Sequence, residues 1–254
     1  MSTWSNRRRL LYAFIVIVLA VIIVGIPVFN LFYEAPSCTD NKKNGDEQGI
    51  DCGGSCTKLC SSAFLDIPSP SWVRFVEIAP RLYNVAAYIV NPNPKAGARG
   101  LPYRLNVLDK EGIEIGHATG KFNLPPGRNT VVFVGGLRII DTDQAPVRML
   151  LEFGKQPEWV LGIDTLINLS VTDKNYRESA SESSLDVTVS NRGPKPARNV
   201  TVYGILKDKD DNVIDFSKTI VDEIAPQRTA LAPFTWPYSH DGKVISLEVL
   251  AVPE

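Results

Sequence analysis

From Leu10 to Tyr33 no position carries a charge, and 21 of the 24 residues are apolar or aromatic. A membrane helix needs about 20 such residues, and residues 10–29 supply them without a break. The centre is β-branched: Ile15, Val16, Ile17 and Val18, then Val21, Ile22, Ile23 and Val24. Branching lowers helix propensity in water, but in a bilayer the backbone has no other hydrogen-bond partner and helix prevails. Pro27 lies near the far end, where a kink costs little. Tyr12 on one side and Phe32 and Tyr33 on the other suit the two interfaces. Arg7, Arg8 and Arg9 are the only charges before Glu34, so the N-terminus is expected in the cytoplasm. Lys42 and Lys43 weaken that bias. A cleaved signal peptide is the alternative. Its apolar core runs about 7–15 residues before a small-x-small site, and residues 26–30 (IPVFN) offer none.

Beyond Ser61 the pattern changes to short β-rich runs broken by Gly, Pro, Asn and Asp. Strands are expected at 72–78, 83–90, 103–109, 114–122, 129–134 and 148–154. Five more are expected at 166–172, 184–191, 199–207, 213–220 and 243–251. Short strands at this spacing predict β-sandwiches. The two halves also resemble each other at a period near 100. Residues 91–96 (NPNPKA) match 191–197 (NRGPKPA), and 105–112 (LNVLDKEG) parallel 205–212 (ILKDKDDN). Pro125-Pro126-Gly127 parallels Ala225-Pro226-Gln227, each leading into a β-run that ends at Phe133 or Phe234. A period that long is outside the solenoid range and fits tandem globular domains with a boundary at 156–162. Gly135-Gly136 reads as a strand bulge.

The repeated core resembles the FxLyD and CARDB-type sandwiches of prokaryotic surface proteins, and also the water-stress sandwiches of late embryogenesis abundant type 2. The residues that carry the resemblance are Asn91, Asp109, Gly112, Pro126 and Gly127, then Asn191, Asp208, Asn212 and Pro226. It implies an immunoglobulin-like fold with an interaction or spacer role and no shared catalytic site.

All four cysteines, Cys38, Cys52, Cys56 and Cys60, fall within 23 residues. An even cluster just outside an anchor reads as two disulfides in an oxidising compartment, with three pairings open. Zinc is disfavoured, because paired C-x2-C knuckles and a nearby His are lacking. Residues 40–51 also scan as a 12-residue calcium loop, with acids at positions 1 and 12, Asn at 5 and Gly at 6. Lys42 stands at position 3, where an oxygen ligand belongs. The candidate ligands are Asp40, Asn44, Asp46, Glu47 and Asp51, and calcium is the one candidate cofactor. The alternative is an acidic connector held by disulfides. The segment resembles a short motif of secreted and surface proteins through Cys38, Asp40, Asn44, Gly45, Glu47, Gly49, Asp51, Cys52, Gly53, Gly54 and Cys56, with Asn41 in place of a Gly. That resemblance implies an extracellular linker.

Composition narrows the function. Outside the apolar block about 91 of 230 residues are hydrophobic, enough for a core, so neither a polytopic membrane protein nor wholesale disorder fits. Beyond the Arg triplet, 24 Lys and Arg face 28 Asp and Glu, a net of −4, so no nucleic-acid partner is expected. The two histidines, His117 and His240, sit beside Gly-containing turns and are expected to be exposed. Neither belongs to a catalytic motif. The acidic runs 111–114 and 208–211 read as solvated hairpin tips. Trp72, Trp159 and Trp236 are weighed as sugar platforms but read as packing. Asn168 and Asn199 begin glycosylation sequons, a weak sign of exposure.

The expected fold class is mainly β. A tail (1–9), a transmembrane helix (10–33) and a disulfide-bonded stalk (34–61) precede two immunoglobulin-like sandwiches (62–160 and 161–254). The expected function is non-enzymatic: a single-pass protein of the cell membrane, N-terminus inside and C-terminal domains outside. It would present a β-surface to an envelope protein partner. A calcium- or carbohydrate-dependent adhesin is the alternative.

Overall fold

The computed structural model describes residues 3–60, 68–139, 144–154, 158–162 and 167–253. Ser61 at the expected stalk end, Gln156 at the expected boundary and Leu166 at an expected strand start lie outside these residues. The chain divides into two compact units, Met1–Cys56 and Thr57–Glu254.

In the first unit, α1 (Thr3–Ala20) runs through a π-helical turn (Val21–Gly25) into α2 (Ile26–Phe32). The π turn immediately precedes Pro27. A proline has no N–H, and its ring presses on the carbonyl four residues back, here that of Ile23. A wider i→i+5 turn accommodates this without breaking the helix. Within the helical stretch Asn6–Phe29 the most apolar window has mean hydropathy 3.0 and is not buried, so it is long and apolar enough for a membrane anchor or signal. After it, Cys38 is bonded to Cys56 with Cα atoms 5.6 Å apart. Cys52 and Cys60 are disulfide-bonded too, so the linker carries two bridges.

The described part of the second unit holds thirteen strands: β1 (Ser69–Ala79), β2 (Leu82–Val90), β3 (Ala96–Leu108), β4 (Glu114–Leu124), β5 (Thr130–Arg138), β6 (Arg148–Phe153), β7 (Trp159–Leu161), β8 (Leu169–Glu178), β9 (Ser183–Asn191), β10 (Ala197–Lys207), β11 (Val213–Ile224), β12 (Arg228–Trp236) and β13 (Ser246–Val252). Every pairing between them is antiparallel. Sheets β1-β2-β5 and β4-β3-β6, with β7 also on β3, come from residues 69–161. Sheets β12-β9-β8 and β11-β10-β13 come from residues 169–252.

Strand β3 starts seven residues before the expected 103. Gly97, Gly100 and Pro102 lie within the strand, which crosses a register shift between Ala98 and Leu101, with Gly100 at φ +59. The Gly135-Gly136 bulge is present, opposite Asn84, whose Oδ1 accepts the Gly136 N–H at 3.1 Å. Residues 57–59, expected in the disulfide-bonded stalk, are hydrogen-bonded to β7: Leu161 N–H to Thr57 O at 2.6 Å and Leu59 N–H to Trp159 O at 2.9 Å. β7 itself runs through Leu161, which faces Ala96 on β3.

Each sheet pair encloses a core. Val85 and Tyr83 of β2 meet Leu105 and Val107 of β3 in the first. Leu185, Val187 and Val189 of β9 meet Val200, Val202 and Leu206 of β10 in the second. β9 alternates strictly between buried and half-buried positions, as a strand with one covered face should. β2 and β10 do not. Ala86 and Tyr88, on the other face of β2, pack with Ile205 of β10 and Phe216 of β11. Sheets β1-β2-β5 and β11-β10-β13 therefore lie face to face, and the four sheets form one stack.

This seam has a polar edge. The Tyr88 hydroxyl donates to Glu248 Oε1 at 2.6 Å and accepts from Asn129 Nδ2 at 2.9 Å. Lys207 Nζ pairs with Glu248 at 2.9 Å. Burial, with Glu248 adding to it, pushes the Tyr88 phenol up to about 12. A raised phenol stabilises the fold below the unfolded value near 10, and that stability is lost as pH rises from about 10 to about 12. Urea midpoints measured between pH 9 and 11.5 should fall, and fall less steeply in Tyr88→Phe. Parallel slopes for the two proteins would contradict the seam hydrogen bond.

Candidate functional site

The acidic loop ties itself together. Asp40 accepts Asn44 Nδ2 at 2.7 Å and the Lys42 N–H at 2.9 Å, and these bonds hold its carboxyl below the usual range. Asp46 accepts the Ser55 hydroxyl at 2.7 Å and is lowered by it. Both Asp51 oxygens lie 3.1 Å from the Asn41 N–H, and Glu47 accepts the Asn44 N–H at 3.2 Å. The sequence-predicted ligands thus share one loop, in which Asn44 links Asp40 and Glu47 while Asp46 and Asp51 bond to other residues. Among the described residues, the acid, His and Cys ligand atoms that do converge belong to Cys38, Glu47 and Cys56, and both of those sulfurs are in a disulfide. Asn44 Oδ1 is buried without a hydrogen bond. Gly54, at φ +61, admits no side chain, because a Cβ would lie 2.2 Å from the Asp46 carbonyl oxygen.

The residues that marked the internal repeat do the same work twice. Asn91 Nδ2 donates to the carbonyls of Ala96 at 2.9 Å and Pro125 at 2.7 Å, and its Oδ1 accepts the Asn93 N–H at 3.0 Å. Asn191 donates to Lys195 O at 2.7 Å and Ile224 O at 2.9 Å, and accepts the Gly193 N–H at 2.9 Å. One buried amide in each sandwich therefore joins a strand end, the following turn and a neighbouring strand. Asp109 Oδ1 accepts from Glu111 and Ile113, and Asp208 Oδ1 accepts from Asp210 and Asn212, closing equivalent hairpins. The runs 111–114 and 208–211 are hairpin tips, as expected. Where the first repeat has Gly127 at φ +54, the second holds Gln227 at φ +57. The Gln227 amide donates to Arg192 O at 2.7 Å, which offsets the strain of that conformation.

His240 corrects the sequence reading. His117 is exposed and pairs with Glu114, but the His240 side chain is 7% exposed. Its Nε2 lies 2.8 Å from Asp215 Oδ2. Its Nδ1 lies 2.9 Å from Ser183 Oγ and 3.0 Å from the Tyr176 hydroxyl. Tyr238 donates to the same Asp215 oxygen at 2.8 Å, and burial pushes that phenol far up. A serine, a histidine and an aspartate in line suggest a hydrolase relay. The geometry opposes it. The single Ser183 proton goes to the Tyr238 carbonyl at 2.7 Å, and the serine is 2% exposed, so no acyl carbon reaches its oxygen. The cluster fastens the loop after β12 onto β9 and β11. Sequence reasoning missed it because its members come from β8, β9, β11 and a loop, with no local spacing to read.

Trp72, Trp159 and Trp236 are packing residues. Trp236 is buried in the second core. Trp72 lies against Tyr88 with ring centroids 5.5 Å apart, and Trp159 packs on the Ala98 and Leu124 cluster. Asn168 and Asn199 are exposed.

The second sandwich has a family match. Residues 165–254 match the CARDB family model. CARDB is an immunoglobulin-like domain family, typically non-catalytic. The CARDB match takes in β8 to β13, and with them Asn191, Asp208, Asn212 and Pro226, the residues on which the resemblance was read. No curated protein matches the chain.

Proposed function

We propose that this chain is a single-pass protein of the cell membrane, with a short tail (1–9) in the cytoplasm, a span (10–33) and a stalk (34–61). Two sandwiches (62–160 and 161–254) lie outside, where they bind an envelope protein partner without catalysis. The observation that carries this reading is the 24-residue candidate span Asn6–Phe29, whose apolar part is not buried, on a chain whose later residues match CARDB. The Arg triplet supports the orientation, and disulfide-bonded cysteines support an oxidising exterior. Edge strands could extend a partner's sheet, with loops supplying specificity.

The test is protease accessibility of the full chain in intact cells and in inverted vesicles, followed by crosslinking in native membranes. Protease added outside intact cells should digest residues beyond the span, and Cys38–Cys56 should be recovered oxidised. A protected, reduced C-terminal region would overturn the topology. One partner should crosslink reproducibly, and its loss only with a chelator present would move the reading to the calcium-dependent adhesin.

A further inference from the structure

Both sandwiches line a cleft of about 210 Å³ beside the seam. Val131, Val132 and Val252 are among its lining residues, and Ile220, also in the lining, is exposed. Three features set it apart from an ordinary surface groove. First, its lining holds Lys121 from β4 and Lys218 from β11 but no Asp or Glu among the described residues, in a region of net negative charge. Neither lysine forms an ion pair within the described residues. Lys218 Nζ instead sits 5.4 Å above the Phe133 ring, a site already organised for cationic charge. Second, Thr130 and Thr201 line the cleft, are 2% and 9% exposed, and make no side-chain hydrogen bond among the described residues. Neither hydroxyl is among the fully enclosed side-chain atoms that lack a partner, so both are open to the cleft. Third, Tyr103 stands over Gly120 on the neighbouring strand, where any Cβ would lie 2.6 Å from its hydroxyl.

We infer that this cleft binds an acidic sugar residue, a hexuronate either free or within a polysaccharide. Lys121 and Lys218 meet its anionic charge, and Thr130, Thr201 and Tyr103 bond its hydroxyls. The volume matches one pyranose, about seven waters' worth at roughly 30 Å³ each. A lining that combines apolar side chains with a few polar and charged ones is the usual make-up of a small-molecule site. The wall of the site is shared between the sandwiches, so a bound sugar also pins them together. The inference stands independently of the anchor and of the protein partner.

The test is isothermal calorimetry on the full chain in detergent micelles with glucuronate, galacturonate and a galacturonate tetramer, against glucose and sulfate. Binding of a uronate, weaker or undetectable glucose binding, and an affinity that falls with salt are expected. Lys218→Gln and Lys121→Gln should each weaken binding about tenfold without shifting the melting temperature. Tyr103→Phe should weaken it a few-fold, as loss of one hydrogen bond does. Tighter binding of the tetramer identifies a polysaccharide as the source, and equal binding identifies the free sugar. No uronate heat at 10 mM ligand, glucose binding as tight as uronate, sulfate binding as tight as uronate, or indifference to both lysine substitutions would each overturn the inference.

Discussion

Asn191→Ala is expected to cost about 3–5 kcal/mol, among the largest single losses in the chain. The side chain is fully buried and makes three bonds to main-chain groups. Its removal leaves the Lys195 and Ile224 carbonyls and the Gly193 N–H without it. A buried polar group left unsatisfied costs about 1–3 kcal/mol, and water entering the small space left by the side chain recovers part of that. Asn191→Asp should be at least as harmful, because an acceptor then faces two carbonyl oxygens. Asn91 makes the equivalent contacts in the first sandwich, so Asn91→Ala should show a comparable loss. Urea unfolding monitored by tryptophan fluorescence measures both. A loss under about 1 kcal/mol at either position would show that the amide is replaceable.

Phe216→Ala should cost a similar amount, about 3–5 kcal/mol, with a different signature. Phe216 is 2% exposed and meets Phe133 edge-on with centroids 6.0 Å apart. It fills the seam between sandwiches rather than either sandwich core. Truncation therefore weakens what couples the two, while Leu185→Ala weakens the second core alone. Calorimetry should give one transition for the parent and for Leu185→Ala, and two separated transitions for Phe216→Ala. One unsplit transition in Phe216→Ala would mean that the seam does not set cooperativity.

The sequence made much of this architecture legible, for reasons that can be traced to particular residues. The apolar block needed only counting. Asn91 and Asn191, Asp109 and Asp208, and Pro126 and Pro226 marked equivalent turns, because a buried amide and a turn carboxylate do local work wherever the fold repeats. The seam was missed although its signal was present. Val85-Ala86-Ala87-Tyr88-Ile89-Val90 is apolar without alternation, and such a run belongs to a strand covered on both faces. Reading it only as a strand left its outer face unexplained. His240 was misplaced because a glycine beside it suggested exposure, whereas its environment is set by Asp215 and Ser183, distant in sequence. The cleft could not be read at all, since Lys121, Thr130, Thr201 and Lys218 meet only once two sandwiches are stacked.

The place of β13 in the stack has a consequence for how the chain acquires its structure. β13 is the last strand in sequence, yet it pairs with the central strand β10 from Thr201 to Lys207, and its Glu248 receives the Tyr88 hydroxyl. During synthesis the N-terminal sandwich emerges first, with one face of β2 still waiting for its cover. Its cover comes from Ile205 of β10, Phe216 of β11 and Leu250 of β13, so that apolar face stays open until those strands have emerged. The contact between Tyr88 and Glu248 closes a loop of 160 residues, and contacts of such long separation form slowly. The aggregation hazard should therefore be greatest while the first sandwich is complete and β10, β11 and β13 have not yet docked on it.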